Sequence, residues 1–527
     1  MNRIRCYLKK YIQPFEKKLA LLELETISGV SYQNVTNNTY EVITEVSIEY
    51  LKNKLIYWEI LEINKLVLIT DQSYRESTLN YVRNNIDINS IKDIFPLPAR
   101  PNLPNRRCLR YGPHGIHEYR GKFFPQLVSS LINYANISNN GIILDPMMGS
   151  GTTLVESLIR KYQCIGIDIN PLSVFISKNK CELLSLNPDE LIIEYNKIHN
   201  FLLNNIEKNT SDLSYFNSLH PSSKKYLINW FSNEVLLSLD SIAKKISEIS
   251  NVTIKCFMMI SLSNILRRVS WQKVDDLRVR KDYKIDLELD PIREFLEELS
   301  RSVRILLAFL YQEKGSTINF LVFEGDAKDC DTILKSYINT IDLVITSPPY
   351  ATALPYLDTD RLSLCYLNLL PRDQQRIKDY TMIGNREISE VLRLKYWDYY
   401  ESNKSLLPSD IIDLIDSINY LNTDFKVGFR RKNLSSLLAK YFFDMREVLE
   451  GIYKLLKPGA FSFIIVGNNH TIAGGHRIEI NTSNLLSKIA KMIGFNVKES
   501  INMEMLNSRD IFKQNSLGSE EILVLKK

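Results

Sequence analysis

The chain has no CxxC pair, and its seven cysteines (Cys6, Cys108, Cys164, Cys181, Cys256, Cys330, Cys365) are dispersed along 527 residues. That excludes zinc-finger spacing. An odd, scattered set points to reduced thiols in a cytoplasm rather than a disulfide framework. Long apolar runs are missing too: no stretch approaches the roughly 20 residues needed to span a bilayer. The first eighteen residues, MNRIRCYLKKYIQPFEKK, are charged and lack the apolar core and small-residue cleavage site of a signal peptide. An excess of one charge is also lacking. Lys+Arg number 66 against 61 Asp+Glu, a net +5, so only local clusters can argue for nucleic acid. Internal repeats and low-complexity tails are absent. What remains is an ordinary globular composition, 45% hydrophobic and 24% charged, long enough for about two to four domains.

Residues 1–94 mix short β-branched runs (Tyr40–Ile43, Lys65–Ile69) with helical patterns and carry no chemical motif, which predicts a small N-terminal α/β domain. Residues 95–110 hold Pro96, Pro98, Pro101 and Pro104. That density blocks both helix and ladder and predicts a linker or extended arm. Residues 111–183 read as helix (Gln126 to about Tyr134), strand (Gly141–Leu144), glycine turn, helix from Thr152 and strand (Cys164–Ile167), a βαβ unit. From 184 to 316 the chain is rich in Leu and Ile at helical spacing and almost free of glycine, so a helical insertion is expected. Residues 317–527 return to strands at Asn319–Phe323, Asp342–Ile345 and Phe461–Val466. A second helical insertion falls at about 358–440, and a helix Ser483–Met492 and strands near Phe495–Ser500 and Glu521–Leu525 close the chain.

Asp145-Pro146-Met147-Met148-Gly149-Ser150-Gly151-Thr152-Thr153 lies where the first strand of the βαβ unit gives way to its helix. Gly149 and Gly151 let a ligand approach the backbone closely, and the helix N-terminus at Thr152 favours an anionic group. Asp145 could pair with a cationic group on that ligand. Gly151, not Lys, precedes Thr152, so a triphosphate-binding P-loop is disfavoured. Asp168 ends the second strand, where an acid can hydrogen-bond both hydroxyls of a ribose. A second signal, Thr346-Ser347-Pro348-Pro349-Tyr350, follows strand Asp342–Ile345 directly. Its two prolines stiffen the backbone and remove two N–H donors, leaving the Ser347 and Pro348 carbonyls as acceptors. An exocyclic amine of a nucleobase is a poor nucleophile, because its lone pair is delocalised into the ring. Two acceptors holding its hydrogens draw that pair out of conjugation, and Tyr350 offers a face on which an extruded base can stack.

The pair DPxxGSGTT and TSPPY resembles the amino-methyltransferase family of DNA, and its serine resembles the N4-cytosine members. The likeness covers His114–Asn179 and Asn319 to the C-terminus. It implies a mainly parallel, Rossmann-like, S-adenosylmethionine-dependent methyltransferase sheet with helical insertions, in a bacterial or archaeal cytoplasm. It also implies direct transfer without a covalent intermediate. No Pro-Cys pair is present to supply the nucleophile of cytosine C5 chemistry. By the same resemblance, Lys122 and Phe123 belong to a segment lining the cofactor's methionine end, and Asp326 contacts its adenine. Met147 stands where the family usually has Phe and can fill the same apolar space. The expected cofactor site is therefore Lys122, Phe123, Asp145, Gly149, Gly151, Thr152, Thr153, Asp168 and Asp326. The catalytic residues are Ser347, Pro348, Pro349 and Tyr350, and no metal is expected.

Two basic clusters are candidates for phosphate contact with double-stranded DNA. Arg267, Arg268 and Lys273 open a stretch with six basic residues against two acids; Arg430, Arg431 and Lys432 belong to one with four against none. His470 and His476 have no metal-ligand companions and read as parts of a plain loop. An adenine-N6 enzyme, an RNA base amino-methyltransferase and a non-catalytic cofactor-binding subunit stay open as alternatives. So do the recognition sequence, a cognate restriction or defence partner, and the oligomeric state.

Overall fold

An uninterrupted apolar run asks for burial on both faces, and Ile142-Ile143-Leu144 finds it as a central parallel strand. The computed structural model describes residues 2–82, 86–119, 124–204, 212–273, 280–282, 289–313, 315, 319–351, 357–423, 428–504 and 519–527. Strands β1 (Asn2–Leu8), β2 (Gln33–Thr36), β3 (Thr39–Thr44), β4 (Trp58–Ile63) and β5 (Leu66–Ile69) form an antiparallel sheet in the order β2-β3-β1-β4-β5. The remaining strands are β6 (Ile142–Asp145), β7 (Gln163–Asp168), β8 (Phe320–Glu324), β9 (Ile341–Thr346), β10 (Leu456–Gly467), β11 (Asn469–Ala473), β12 (His476–Ile480), β13 (Asn496–Glu504) and β14 (Ser519–Lys526). Seven of these build the main sheet, in the order β13-β14-β10-β9-β6-β7-β8. Neighbours from β10 to β8 are parallel, while β14 runs antiparallel to both β10 and β13. The main sheet thus has the expected Rossmann-like, mainly parallel architecture. Strands β11 and β12 pair only with each other, so His470 and His476 lie on a hairpin rather than in a plain loop.

Alternation along the strands sends successive side chains to opposite faces. Leu144, Val344, Ile464 and Leu523 pack under helices Leu434–Leu455 and Thr482–Ile493. Ile143, Leu343, Ile345, Phe463 and Val524 face the other way, into a core shared with helices Pro14–Ser28 and Pro125–Ala135 and with the N-terminal sheet. The N-terminal unit therefore covers one face of the main sheet instead of standing apart from it. Helices between Pro188 and Gln312 form a third core with Leu154, Val155, Leu158 and Ile176. The proline-rich arm is tied down by polar contacts: Gln312 Oε1 accepts from the Leu97 N–H at 2.9 Å, and Tyr74 donates to the Ala99 carbonyl at 2.9 Å.

Buried carboxylates join these layers. Glu23 is fully buried and accepts from the N–H groups of Ile56 and Tyr57 and from Asn133 Nδ2, at 3.1, 3.2 and 2.9 Å. Glu76 takes Lys9 Nζ at 2.7 Å and Gln126 Nε2 at 3.0 Å. Glu156, on the helix that follows the glycine turn, is bound by His114 Nε2 and Tyr111 at 2.8 Å each and by Ser129 at 2.5 Å. Burial by itself raises the Glu156 pKa, but His114, Ser129 and Tyr111 outweigh it and hold it below the ordinary carboxylate range. Glu156→Ala strands three polar partners in a dry site, at a cost of about 3–5 kcal/mol. The thermal unfolding midpoint should fall by several degrees; an unchanged midpoint contradicts this reading of the network.

Candidate active site

Strand β6 sits between β7 and β9, and the chain leaves it in one direction for β7 and β8 before returning on the other side for β9 and β10. Such a reversal opens a crevice at the strands' carboxyl ends, where ligands of open α/β sheets bind. The glycine turn leaves β6 on one side of this crevice, and the Ser347–Tyr350 tetrapeptide leaves β9 on the other. Thr153 bridges the two: its hydroxyl donates to Asp145 Oδ2 at 2.7 Å and reaches the Ile345 carbonyl at 3.4 Å.

The turn is braced from within. Asp145 is fully buried, and its other oxygen accepts from the Met147 N–H at 3.1 Å. Burial, opposed by these hydrogen bonds, lifts its pKa to about 7. Asp168 accepts from the N–H groups of Gly149 and Asn170, both at 2.8 Å, and burial raises it to about 6. The two acids thus close the turn from both flanks, β6 and β7. Gly149 and Gly151 take φ of +49° and +77°, the left-handed region that favours glycine. A Cβ on Gly149 would lie 3.0 Å from the Tyr119 ring, and one on Gly151 would lie 2.7 Å from Ser177 Cβ. Met147 is half-buried against the Leu434–Leu455 core, while Thr152 and Thr153 are buried on the helix's first turn.

Other expected residues are distributed less simply. Asp326 follows β8, caps the next turn by accepting from the Lys328 N–H at 3.1 Å, and pairs with Lys328 Nζ at 3.4 Å. Lys122 and Phe123 lie outside the described residues. Ser347 and Pro349 are half-buried and Pro348 is buried. The Tyr350 hydroxyl donates to Glu520, a β14 carboxylate that burial raises above its ordinary range. Nothing local marks Glu520 as a partner of the tetrapeptide. Only the antiparallel course of β14, which starts where its neighbours end, brings it there.

The basic clusters differ in how far they are engaged. Arg268 pairs with Glu294 at 2.8 Å and Glu298 at 3.7 Å, and Arg267 donates to the Lys273 carbonyl at 3.1 Å, while Lys273 is exposed. Arg430 pairs with Glu387 at 2.5 Å. Arg431 and Lys432, both exposed, make no ion pair among the described residues.

Comparison with known proteins agrees with this geometry. A family model for N6/N4 methyltransferases, described as DNA methylase, matches residues 25–179, a span that ends before the tetrapeptide. The chain is similar in sequence to Type II methyltransferases. The Type II methyltransferase M.MvaI of Kocuria varians is 25% identical over 448 residues, covering 78% of this chain and 90% of the relative. M.BsoBI of Geobacillus stearothermophilus is 26% identical over 471 residues, with 80% and 87% covered. M.AvaI of Anabaena variabilis is 25% identical over 405 residues, with 72% and 79% covered. S-adenosylmethionine is the methyl donor that the resemblance of the two motifs implies.

The residues present fit that donor. A half-buried acid at the end of β7, raised by desolvation and with no ion pair among the described residues, gains from the two hydroxyl donors of a ribose. The turn beside it packs against Tyr119 and Ser177 too closely to admit a Cβ at Gly149 or Gly151. Two opposite pH trends follow for Asp168. Its raised folded pKa contributes stability to the ligand-free protein at low pH, which is lost as pH rises through about 6. Cofactor affinity moves the other way, since the ionised acid is the better acceptor. Calorimetric titration should show tighter cofactor binding as pH rises through about 6, and Asp168→Asn should weaken binding and flatten the profile. Equal affinity and the same pH profile in the variant would contradict the assignment.

Proposed function

We propose that the chain methylates the exocyclic N4 amine of cytosine in double-stranded DNA. The observation that carries this reading is the placement of Ser347-Pro348-Pro349-Tyr350 across the sheet crevice from the Asp145–Thr153 turn. When bound, S-adenosylmethionine supplies an electrophilic methyl group. Asp168, Gly149, Gly151, Thr152 and Asp326 hold and orient it, with Asp145 and Thr153 keeping the turn in shape; Lys122 and Phe123 are assigned to its methionine end.

The tetrapeptide then acts on the base. The Ser347 and Pro348 carbonyls accept the amine hydrogens and turn the nitrogen lone pair toward the crevice, while the Tyr350 ring stacks on the extruded base. The bond from the Tyr350 hydroxyl to Glu520 supports this role, because it fixes the ring's orientation before a base arrives. Positioning of this kind is the main contribution available to a transfer that needs no covalent enzyme intermediate.

Of the basic clusters, the one at Arg430–Lys432 is the stronger candidate for phosphate contact, because its exposed Arg431 and Lys432 make no ion pair among the described residues, whereas Arg268 is occupied by Glu294 and Glu298. The relatives are named Type II methyltransferases. We assign this chain the same restriction-modification setting, with a cognate restriction or defence protein as partner. The leading serine favours cytosine, whereas an adenine-N6 enzyme would use the same machinery.

Sequencing DNA from cells expressing the protein should find 4-methylcytosine at a recurrent site; 6-methyladenine there would move the assignment to adenine. Tyr350→Ala should lower kcat/KM by about tenfold or more through lost stacking, while cofactor affinity stays within twofold. Tyr350→Phe and Glu520→Ala should each lower it less, and the double variant no further than either alone. Full activity in Tyr350→Ala would remove the tetrapeptide from the mechanism.

A further inference from the structure

The β11–β12 hairpin has no role in the main sheet, and two strands alone are marginally stable. It is held in place by named contacts that lead back to the tetrapeptide. Asn469 Nδ2 donates to the carbonyl of Ala351, the residue after Tyr350, at 2.7 Å. At the hairpin's tip the Gly474 N–H reaches Asn422 Oδ1 at 3.4 Å, and Asn422 Nδ2 donates to the Arg431 carbonyl at 3.1 Å. Asn433 Nδ2 donates to the Ile388 carbonyl at 3.2 Å. In the same segment, a Cβ on Gly384 would lie 2.7 Å from the Tyr350 carbonyl oxygen. Hairpin, Phe429–Lys432 turn and tetrapeptide are therefore tied into one surface.

One face of the hairpin is sealed. Ala473 and Ile480 are buried, and Ile478 packs against the same core as the Ser409–Thr423 helix. The other face carries His470, Ile472, Arg477 and Glu479, all exposed, in the cross-strand pairs His470–Glu479 and Ile472–Arg477. Arg477 and Glu479 hold each other at 2.6 Å. Linked to the hairpin's tip through Asn422 is the segment with exposed Arg431 and Lys432 and with Phe429 exposed at 55%. A two-stranded ribbon fits the major groove of a duplex, and Arg, His and Glu side chains supply the donors and acceptors that base edges answer.

Resting on the DNA-methylating reading above, we infer that the outer face of the β11–β12 hairpin reads base edges around the target base, with Arg431 and Lys432 on the flanking phosphates. The occupant is duplex DNA: Arg431 and Lys432, exposed and without an ion pair among the described residues, match its backbone charge, and the tie from Asn469 to Ala351 sets the ribbon next to the extruded base. Sequence reading then belongs to an element only two residues beyond the end of β10.

Two double variants test this on the full chain, with thermal midpoints checked first. His470→Ala/Arg477→Ala should lower kcat/KM at the wild-type site by about tenfold or more, or broaden the set of methylated sites, since each base-edge pair contributes discrimination of about that size. Its cofactor affinity and its binding to a duplex lacking the site should stay within twofold. Arg431→Ala/Lys432→Ala should weaken binding to any duplex and make the log–log salt slope shallower by about 1 to 2. If wild type methylates DNA while both variants keep its sites, kcat/KM and salt slope, the inference is overturned and the methyltransferase reading stands. If unaltered chain methylates no duplex DNA, the functional reading itself fails, and the hairpin's role with it.

Discussion

The reversal of strand order at β6 and β9 is the constraint on which the rest of the site depends. Parallel strands end their backbones at one edge, and a sheet that is extended first to one side and then to the other leaves a gap there that no crossover covers. The two segments nearest the proposed chemistry hang on the two strands that border that gap. The Asp145–Thr153 turn leaves one and Ser347–Tyr350 leaves the other. Thr153, in contact with both Asp145 and the Ile345 carbonyl, sets their spacing. In the proposed function neither segment acts without the other opposite it.

Around this junction the structure works to keep the edge still. Asp145 and Asp168 direct their oxygens at the N–H groups of the turn, so the acids at the strand ends hold the backbone proposed to accept the cofactor. On the far face, the N-terminal sheet and the Pro125–Ala135 helix share a core with β6, β9, β10 and β14, reinforced by Glu23, Glu76 and Glu156. Strand β14 adds something a purely parallel sheet could not. Because it runs backwards, its first residues arrive at the edge where the others finish, and Glu520 meets Tyr350.

Much of this was legible in the residues. Continuous apolar runs announced β6, β7, β9 and β10 to within a residue or a few, because central parallel strands are buried on both faces. The glycines at 149 and 151 announced a turn that does need positive φ. Features set by distant pairing were not legible. The hairpin at Asn469–Ile480 mixes exposed and buried residues and is stabilised by Asn422 and the Ser409–Thr423 helix, which no local period reveals. Glu520 is one acid among many until β14 finds its register. The N-terminal unit read as separate because its own pattern is complete, yet its helix Pro14–Ser28 buries Leu19, Leu24 and Ile27 in the core it shares with the main sheet.

The most direct measurement is a crystal structure of the protein with S-adenosylhomocysteine, the demethylated form of the donor. The ligand should lie in the crevice between the β6 and β9 ends, with its ribose on Asp168 and its sulfur facing Ser347–Tyr350. Ligand density away from the Asp145–Thr153 turn, or a sulfur turned from the tetrapeptide, would contradict the account.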